Sequence, residues 1–169
     1  MATHDHSITR HFTATGYVVS SGATLLHWHA KVRAWLPPGG HIEPNEDPVQ
    51  AVLREIFEET GVRAEAVVGA PDLGLAYPGQ VAPPFTILVE DIDDPADGAH
   101  QHIDLIYFCR PVGPVGQLPE GWRWVKRETL AVGAALDGAD GEPQPPPEDV
   151  RLLAEQAFRA VEGRDAKRD

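Results

Sequence analysis

The chain has 169 residues, a mass of 18.4 kDa, one cysteine and a net charge of −12, from 26 acidic against 14 basic residues. That length suits a single domain with a sizeable core, one cysteine rules out an intramolecular disulfide, and the acidic balance argues against a broad cationic footprint for polymeric nucleic acid. The first residues, MATHDHSITRHF, hold no apolar h-region, and no run approaches the roughly eighteen apolar residues of a membrane span, so a soluble cytoplasmic protein with no membrane partner is expected.

Residues 12–20 and 23–29 are rich in Thr, Val, Tyr and Leu and are separated by Ser21 and Gly22, which predicts a β-hairpin. A short extended piece over 34–36 runs into Pro37-Pro38-Gly39-Gly40, a break in the chain. Asp47 is a good helix N-cap, Pro48 suits the first helical position, and Gln50 completes a capping-box pattern. Gly61 should stop that helix as a C′ glycine. Strands are expected over 85–90, 102–109 and 122–126, the second apolar on both faces as a central strand would be. Cys109, within LIYFCR, should be a buried small residue rather than a reactive thiol. Pro- and Gly-rich stretches at 111–120 and 137–147 read as loops. From Glu148 to Val161, apolar residues recur at helical spacing and predict an amphipathic C-terminal helix, with residues 163–169 frayed.

The most informative segment is GHIEPNEDPVQAVLREIFEETGV, residues 40–62. On a helix turning about 100° per residue, Val49, Val52, Leu53, Ile56 and Thr60 share one side, while Glu55, Glu58 and Glu59 gather on another. Three carboxylates three and four residues apart repel one another, and a hard divalent cation offsets that repulsion, because Mg²⁺ takes oxygen ligands and bridges carboxylates to phosphates. An acidic helix face of this kind is ordinarily just solvated. Arg54 beside Glu55, the flanking glycines and the distant Glu46 have no reason to hold these offsets on such a face. Arg54 can pair with Glu58 at i,i+4 and hold it in place, and Gly40, lacking a side chain, allows close approach to a metal or phosphate.

Read as G-x5-E-x7-R-E-U-x-E-E-x-G-U, with U a bulky aliphatic residue, this segment resembles the signature of the Nudix hydrolase superfamily (MutT-like) at every specified position. The resemblance implies a Nudix-type α/β/α sandwich around a mixed β-sheet, in a single domain over residues 1–169. It further implies a Mg²⁺-dependent hydrolase, with Mn²⁺ as a substitute, that cleaves the pyrophosphate of a nucleoside diphosphate linked to another moiety. ADP-ribose, a nucleoside triphosphate, a dinucleoside polyphosphate and a nucleotide sugar are all open as substrates, and a homodimer is in keeping with the family. The resemblance makes Glu58 and Glu59 metal ligands, Glu55 a ligand or the general base, and Gly40 a backbone ligand, with Arg54 beside them. The alternative is a catalytically silent Nudix domain that senses a nucleotide.

Beyond the signature the residues speak less clearly. His27 and His29 alternate on a strand, and His100 and His102 precede Asp104 similarly. A zinc site is conceivable from such pairs, but polar pocket lining is the expectation, since no third histidine comes at ligand spacing. Lys31, Arg33, Arg110, Arg123 and Arg127 are candidates to meet substrate phosphates, and Trp28, Trp35, Tyr77 and Trp124 to stack on a base. Glu90, Asp104 and Glu120 are candidates for an additional acidic ligand.

Overall fold

A computed structural model describes residues 8–67, 69–95, 98–138 and 141–165. Eight strands and three helices follow in order: β1 (Arg10–Ser20), β2 (Ala23–His29), β3 (Ala34–Leu36), β4 (Gly39–His41), α1 (Pro48–Thr60), β5 (Ala64–Ala66), β6 (Thr86–Asp94), β7 (Gly98–Pro111), β8 (Trp122–Lys126), α2 (Arg127–Ala131) and α3 (Glu148–Asp165). The sheet is mixed. β1 runs parallel to β7, placing His11 opposite His102 and Thr13 opposite Asp104, while β4 lies antiparallel along β1's other side with His41 opposite Thr13. β6 and β5 pair antiparallel with β7, and β2 links β1 to β3 and β8.

The period-2 alternation of strands sends successive side chains to opposite faces, and here it builds two cores. Tyr17 and Val19 of β1 join Ile106 and Phe108 of β7 beneath α3, which contributes Val150, Ala154, Ala157, Phe158 and Val161. Ala14 and Val18, with Leu105, Tyr107 and Cys109, face α1 and its Ala51, Val52 and Ile56. The result is the expected α/β/α arrangement. Cys109 is fully buried and its thiol is pushed up to about 12 by that burial, so it is core rather than chemistry.

α1 forms where its caps say it should. The Asp47 side chain accepts from the N–H groups of Val49 and Gln50, both at 2.9 Å, and the Gln50 side chain accepts from the Asp47 N–H at 2.9 Å. Gly61 ends the helix at φ 70°, its N–H donating to the Phe57 carbonyl. The helix then lies directly on bare backbone: a Cβ at Gly16 would come within 2.7 Å of Ile56 Cδ1 and 2.9 Å of Val52 Cγ2.

Several boundaries differ from expectation. β6 and β7 extend as a hairpin through polar residues such as Glu90, Asp91, His100 and Gln101, because the backbone ladder persists beyond the apolar alternation. Gly39 and Gly40 belong to a short strand rather than only to a break, and the brief β5 and α2 carry no periodicity long enough to read. α3 continues through Gly163 to Asp165, and residues 166–169 lie outside the described residues. Among the described residues no helix is long and apolar enough to cross a membrane.

Replacing Gly16 by Val should drive α1 off the sheet and cost about 1–3 kcal/mol through overpacking. Urea unfolding checks this, and an unchanged midpoint would mean that α1 tolerates a wider spacing.

Candidate active site

The loop before α1 and the helix itself are tied together by Arg54. Its Nε and Nη2 donate to the two oxygens of Glu46 at 2.7 and 3.0 Å, a bidentate pair. Nη1 donates to Glu55 at 2.7 Å and to Glu58 at 3.1 Å, and Nη2 also reaches the His41 carbonyl at 3.1 Å. The expected Arg54–Glu58 pair is therefore present, but Glu46 is the stronger partner. These carboxylates hold the guanidinium firmly protonated, Glu46 foremost, and Arg54 in turn holds Glu46 below the usual carboxylate range. Glu46 also accepts from the Glu43 N–H at 3.1 Å, which closes the loop on itself.

Gly40 lies against Glu55 so closely that a Cβ there would stand 2.5 Å from Glu55 Oε1, and one at Gly39 would stand 2.8 Å from the Ala14 carbonyl oxygen. The Gly39 N–H donates to Glu59 Oε2 at 3.0 Å. Glu59 is pushed up to about 7, chiefly by burial, with the charges of Glu55 and Glu58 adding and the Gly39 N–H opposing. Glu58, at the other extreme, leaves 58% of its side chain exposed.

Glu59, Gly39 and Gly40 open onto a cleft of about 840 Å³ beside the α3 face of the sheet. His27, His29, Lys31, Asp104 and Glu90 also line it, as do Thr13, Asp149, His41 and His102. Asp104 is 4% exposed and accepts from Thr13 Oγ1 at 2.9 Å, and burial raises its pKa, as it does that of Glu90. His27 stacks on Trp122 with ring centroids 4.3 Å apart, and burial first, then His29, lowers its pKa.

Other expected site residues fall elsewhere. Arg33 is in the turn between β2 and β3 with φ 52°, and neither it nor Arg110 nor Glu120 is among the residues lining the cleft. None of the four candidate stacking aromatics lines it either: Trp35 is wholly buried beneath Arg123, Trp28 packs on that same core, Trp124 packs on the α1 core, and Tyr77 is 89% exposed. No third histidine stands at ligand spacing in the sequence, yet in space His11 and His41 meet His100 and His102 at one end of β4, β1 and β7. Only the strand topology makes these four neighbours.

A model of the NUDIX domain matches residues 9–148, and the chain belongs to the NUDIX family. It is 30% identical over 128 residues to an RNA pyrophosphohydrolase of Bartonella henselae, covering 62% of this chain and 64% of that protein. Over 44 residues, 26% of this chain and 30% of the relative, it is 40% identical to a rat bis(5′-nucleosyl)-tetraphosphatase. The chain thus spans less than two thirds of the length of these curated relatives. Among solved structures, a NUDIX-family hydrolase from Clostridium perfringens superposes with a TM-score of 0.71 at 26% identity, covering 91% of this chain and 99% of that one.

A proton is retained by folded Glu59 but released on unfolding between its unperturbed value of 4.5 and about 7, so without metal its contribution to stability falls as pH rises through that window. In chelator, the thermal midpoint of wild type should drop across it more steeply than that of Glu59→Gln. Parallel slopes would show that the carboxyl titrates normally.

Proposed function

We propose that the protein is a Mg²⁺-dependent pyrophosphohydrolase acting on a small nucleoside diphosphate joined to another group. The observation that carries this reading is the juxtaposition of Glu59, Gly39 and Gly40 at the cleft, with Glu55 and Glu58 gathered behind them on one Arg54 nitrogen. A divalent cation suits these residues: the donors are all oxygens, the preference of Mg²⁺, and the missing Cβ of Gly40 lets the Glu55 carboxylate lie directly against the β4 backbone. Glu55, Glu58 and Glu59 would hold the ion, with the Gly40 carbonyl. Bound there, it would supply a water of lowered pKa and neutralise charge developing on the phosphoryl oxygens.

The chain's own groups do the rest. Arg54 positions Glu55 and Glu58, holding both carboxylates on one guanidinium nitrogen despite their mutual repulsion. The attacking water gives its oxygen to phosphorus and its proton to a carboxylate of this set, while the P–O–P linkage breaks and the leaving phosphate takes the bond's electrons. Lys31, His27 and His29 line the cleft as groups that meet the substrate, and Asp104 lies on its floor as an acceptor held by Thr13. A cleft of about 840 Å³ suits a small nucleotide by the usual size of ligand sites. The net charge of −12 favours such a ligand over an RNA chain. The silent-sensor alternative is disfavoured because no signature carboxylate is missing and all are supported.

Glu58→Gln should lower kcat at least a hundredfold, about 2.7 kcal/mol of barrier, with an unchanged circular dichroism spectrum. Near-normal turnover in that variant defeats the proposal, and binding of nucleotide without turnover by wild type would favour the sensor. A panel of ADP-ribose, nucleoside triphosphates, dinucleoside polyphosphates, nucleotide sugars and an RNA bearing a 5′-terminal pyrophosphate linkage, each with Mg²⁺ and Mn²⁺, should show cleavage of a small nucleotide in preference to the RNA.

A further inference from the structure

Four of the eight histidines of the chain converge at the end of β4, β1 and β7. His11 Nδ1 and His41 Nε2 are 3.3 Å apart, and His100 Nε2 and His102 Nε2 are 3.2 Å apart. One ligand atom each from His11, His41 and His102 lies within 4.8 Å of the others. His11 is also within 5.0 Å of His100 between ring centroids, so the four rings form one group. We propose that His11, His41 and His102 form a second metal site, for a borderline-soft divalent ion such as Zn²⁺, with His100 supplying the adjacent fourth nitrogen.

Three features support it. First, nitrogens bound tetrahedrally at 2.0–2.1 Å from zinc lie about 3.3 Å from one another, which is the separation of both contact pairs. Second, His100 is 6% exposed and its Nδ1 meets the Gly98 carbonyl at 2.9 Å. A carbonyl can only accept, so that nitrogen carries the proton and the Nε2 lone pair points toward His102; a backbone carbonyl on the far ring nitrogen is how ligating histidines are commonly oriented. Third, the donor set is all imidazole, which suits zinc, copper or nickel and not Mg²⁺. A cluster of protonated histidines binding phosphate fits less well, because two imidazolium rings would set N–H against N–H at these separations.

The site is distinct in chemistry from the α1 carboxylates, though His41 and His102 also line the cleft. Its assignment does not depend on the hydrolase reading.

Metal-free protein is titrated with Zn²⁺ at about pH 7.5, where imidazoles are largely neutral, in millimolar Mg²⁺ to occupy the carboxylates. Wild type should take up one equivalent with a Kd of about 1 µM or tighter, and Co²⁺ in its place should give the visible absorption of a nitrogen-ligated ion. The double variant His11→Ala/His102→Ala should bind at least about a hundredfold more weakly, whereas His27→Ala should bind like wild type. A His4→Ala/His6→Ala variant should likewise keep the site, and loss of binding there would overturn the proposal in favour of the N-terminal histidines. It is equally overturned if wild type takes up no stoichiometric zinc or if the double variant binds unchanged. Should the double variant fail to fold, anomalous diffraction from zinc-soaked wild-type crystals decides: a peak among His11, His41 and His102 supports the site, and a peak confined to Glu55, Glu58 and Glu59 refutes it.

Discussion

Arg54 grips Glu46 through two nitrogens, Glu55 and Glu58 through a third, and the His41 carbonyl as well. The loop, the strand and the helix that make up the site therefore share one cation. Without it, Glu55 and Glu58 would turn away from each other into solvent, as like charges on adjacent helical positions do. Lysine could not replace it, since a single ammonium lacks the planar fork that serves several oxygens in fixed directions. The bidentate half of the interaction goes to Glu46. Glu46 folds the loop back through the Glu43 N–H, so its function is to keep β4 and α1 in register.

That register matters because packing leaves no room for a side chain at three glycines. Gly16 lets Val52 and Ile56 rest on β1, Gly39 lets β4 close on β1, and Gly40 lets Glu55 pass the strand. Glu58 stays open to water, whereas Glu55 consequently lies against the sheet and Glu59 loses solvent, which shows in its raised pKa. Burial without a cation is unfavourable for such a group. The backbone N–H of Gly39 offsets only part of that cost, and an oxygen-seeking cation at the proposed site would offset more of it.

Much of this was legible in the chain because it is local. Asp47, Pro48, Gln50 and Gly61 announce both ends of α1, and the spacing of Glu55, Glu58 and Glu59 shows a polar face without any tertiary information. The Arg54–Glu58 pair follows from helix geometry, whereas the closer Arg54–Glu46 pair spans a loop whose path is set by Asn45 at φ 76° and could not be read from periodicity. Strand β4 was hidden because three residues, two of them glycine, have no β signature; only pairing with β1 makes them a strand. Trp35 shows the opposite failure. Its aromatic ring suggested a base-stacking platform, but its alternation places it inward, where core packing and Arg123 claim both sides of its environment.

The histidines were illegible for a different reason. His11, His41 and the pair at 100 and 102 lie on three strands that are distant in sequence, and the parallel pairing of β1 with β7 sets His11 against His102. The same pairing sets Thr13 against Asp104, so one register builds both the histidine cluster and the acidic floor of the cleft. His41 joins these regions: its ring meets His11, while its carbonyl accepts from Arg54. An ion on the rings would consequently restrain the strand whose glycines bear on Glu55 and Glu59. Donor chemistry keeps the two proposed sites from competing, because hard oxygen ligands suit Mg²⁺ and imidazole nitrogens suit zinc. The short strand β4 would thereby border both proposed sites, through the His41 ring on one side and the Gly40 backbone on the other.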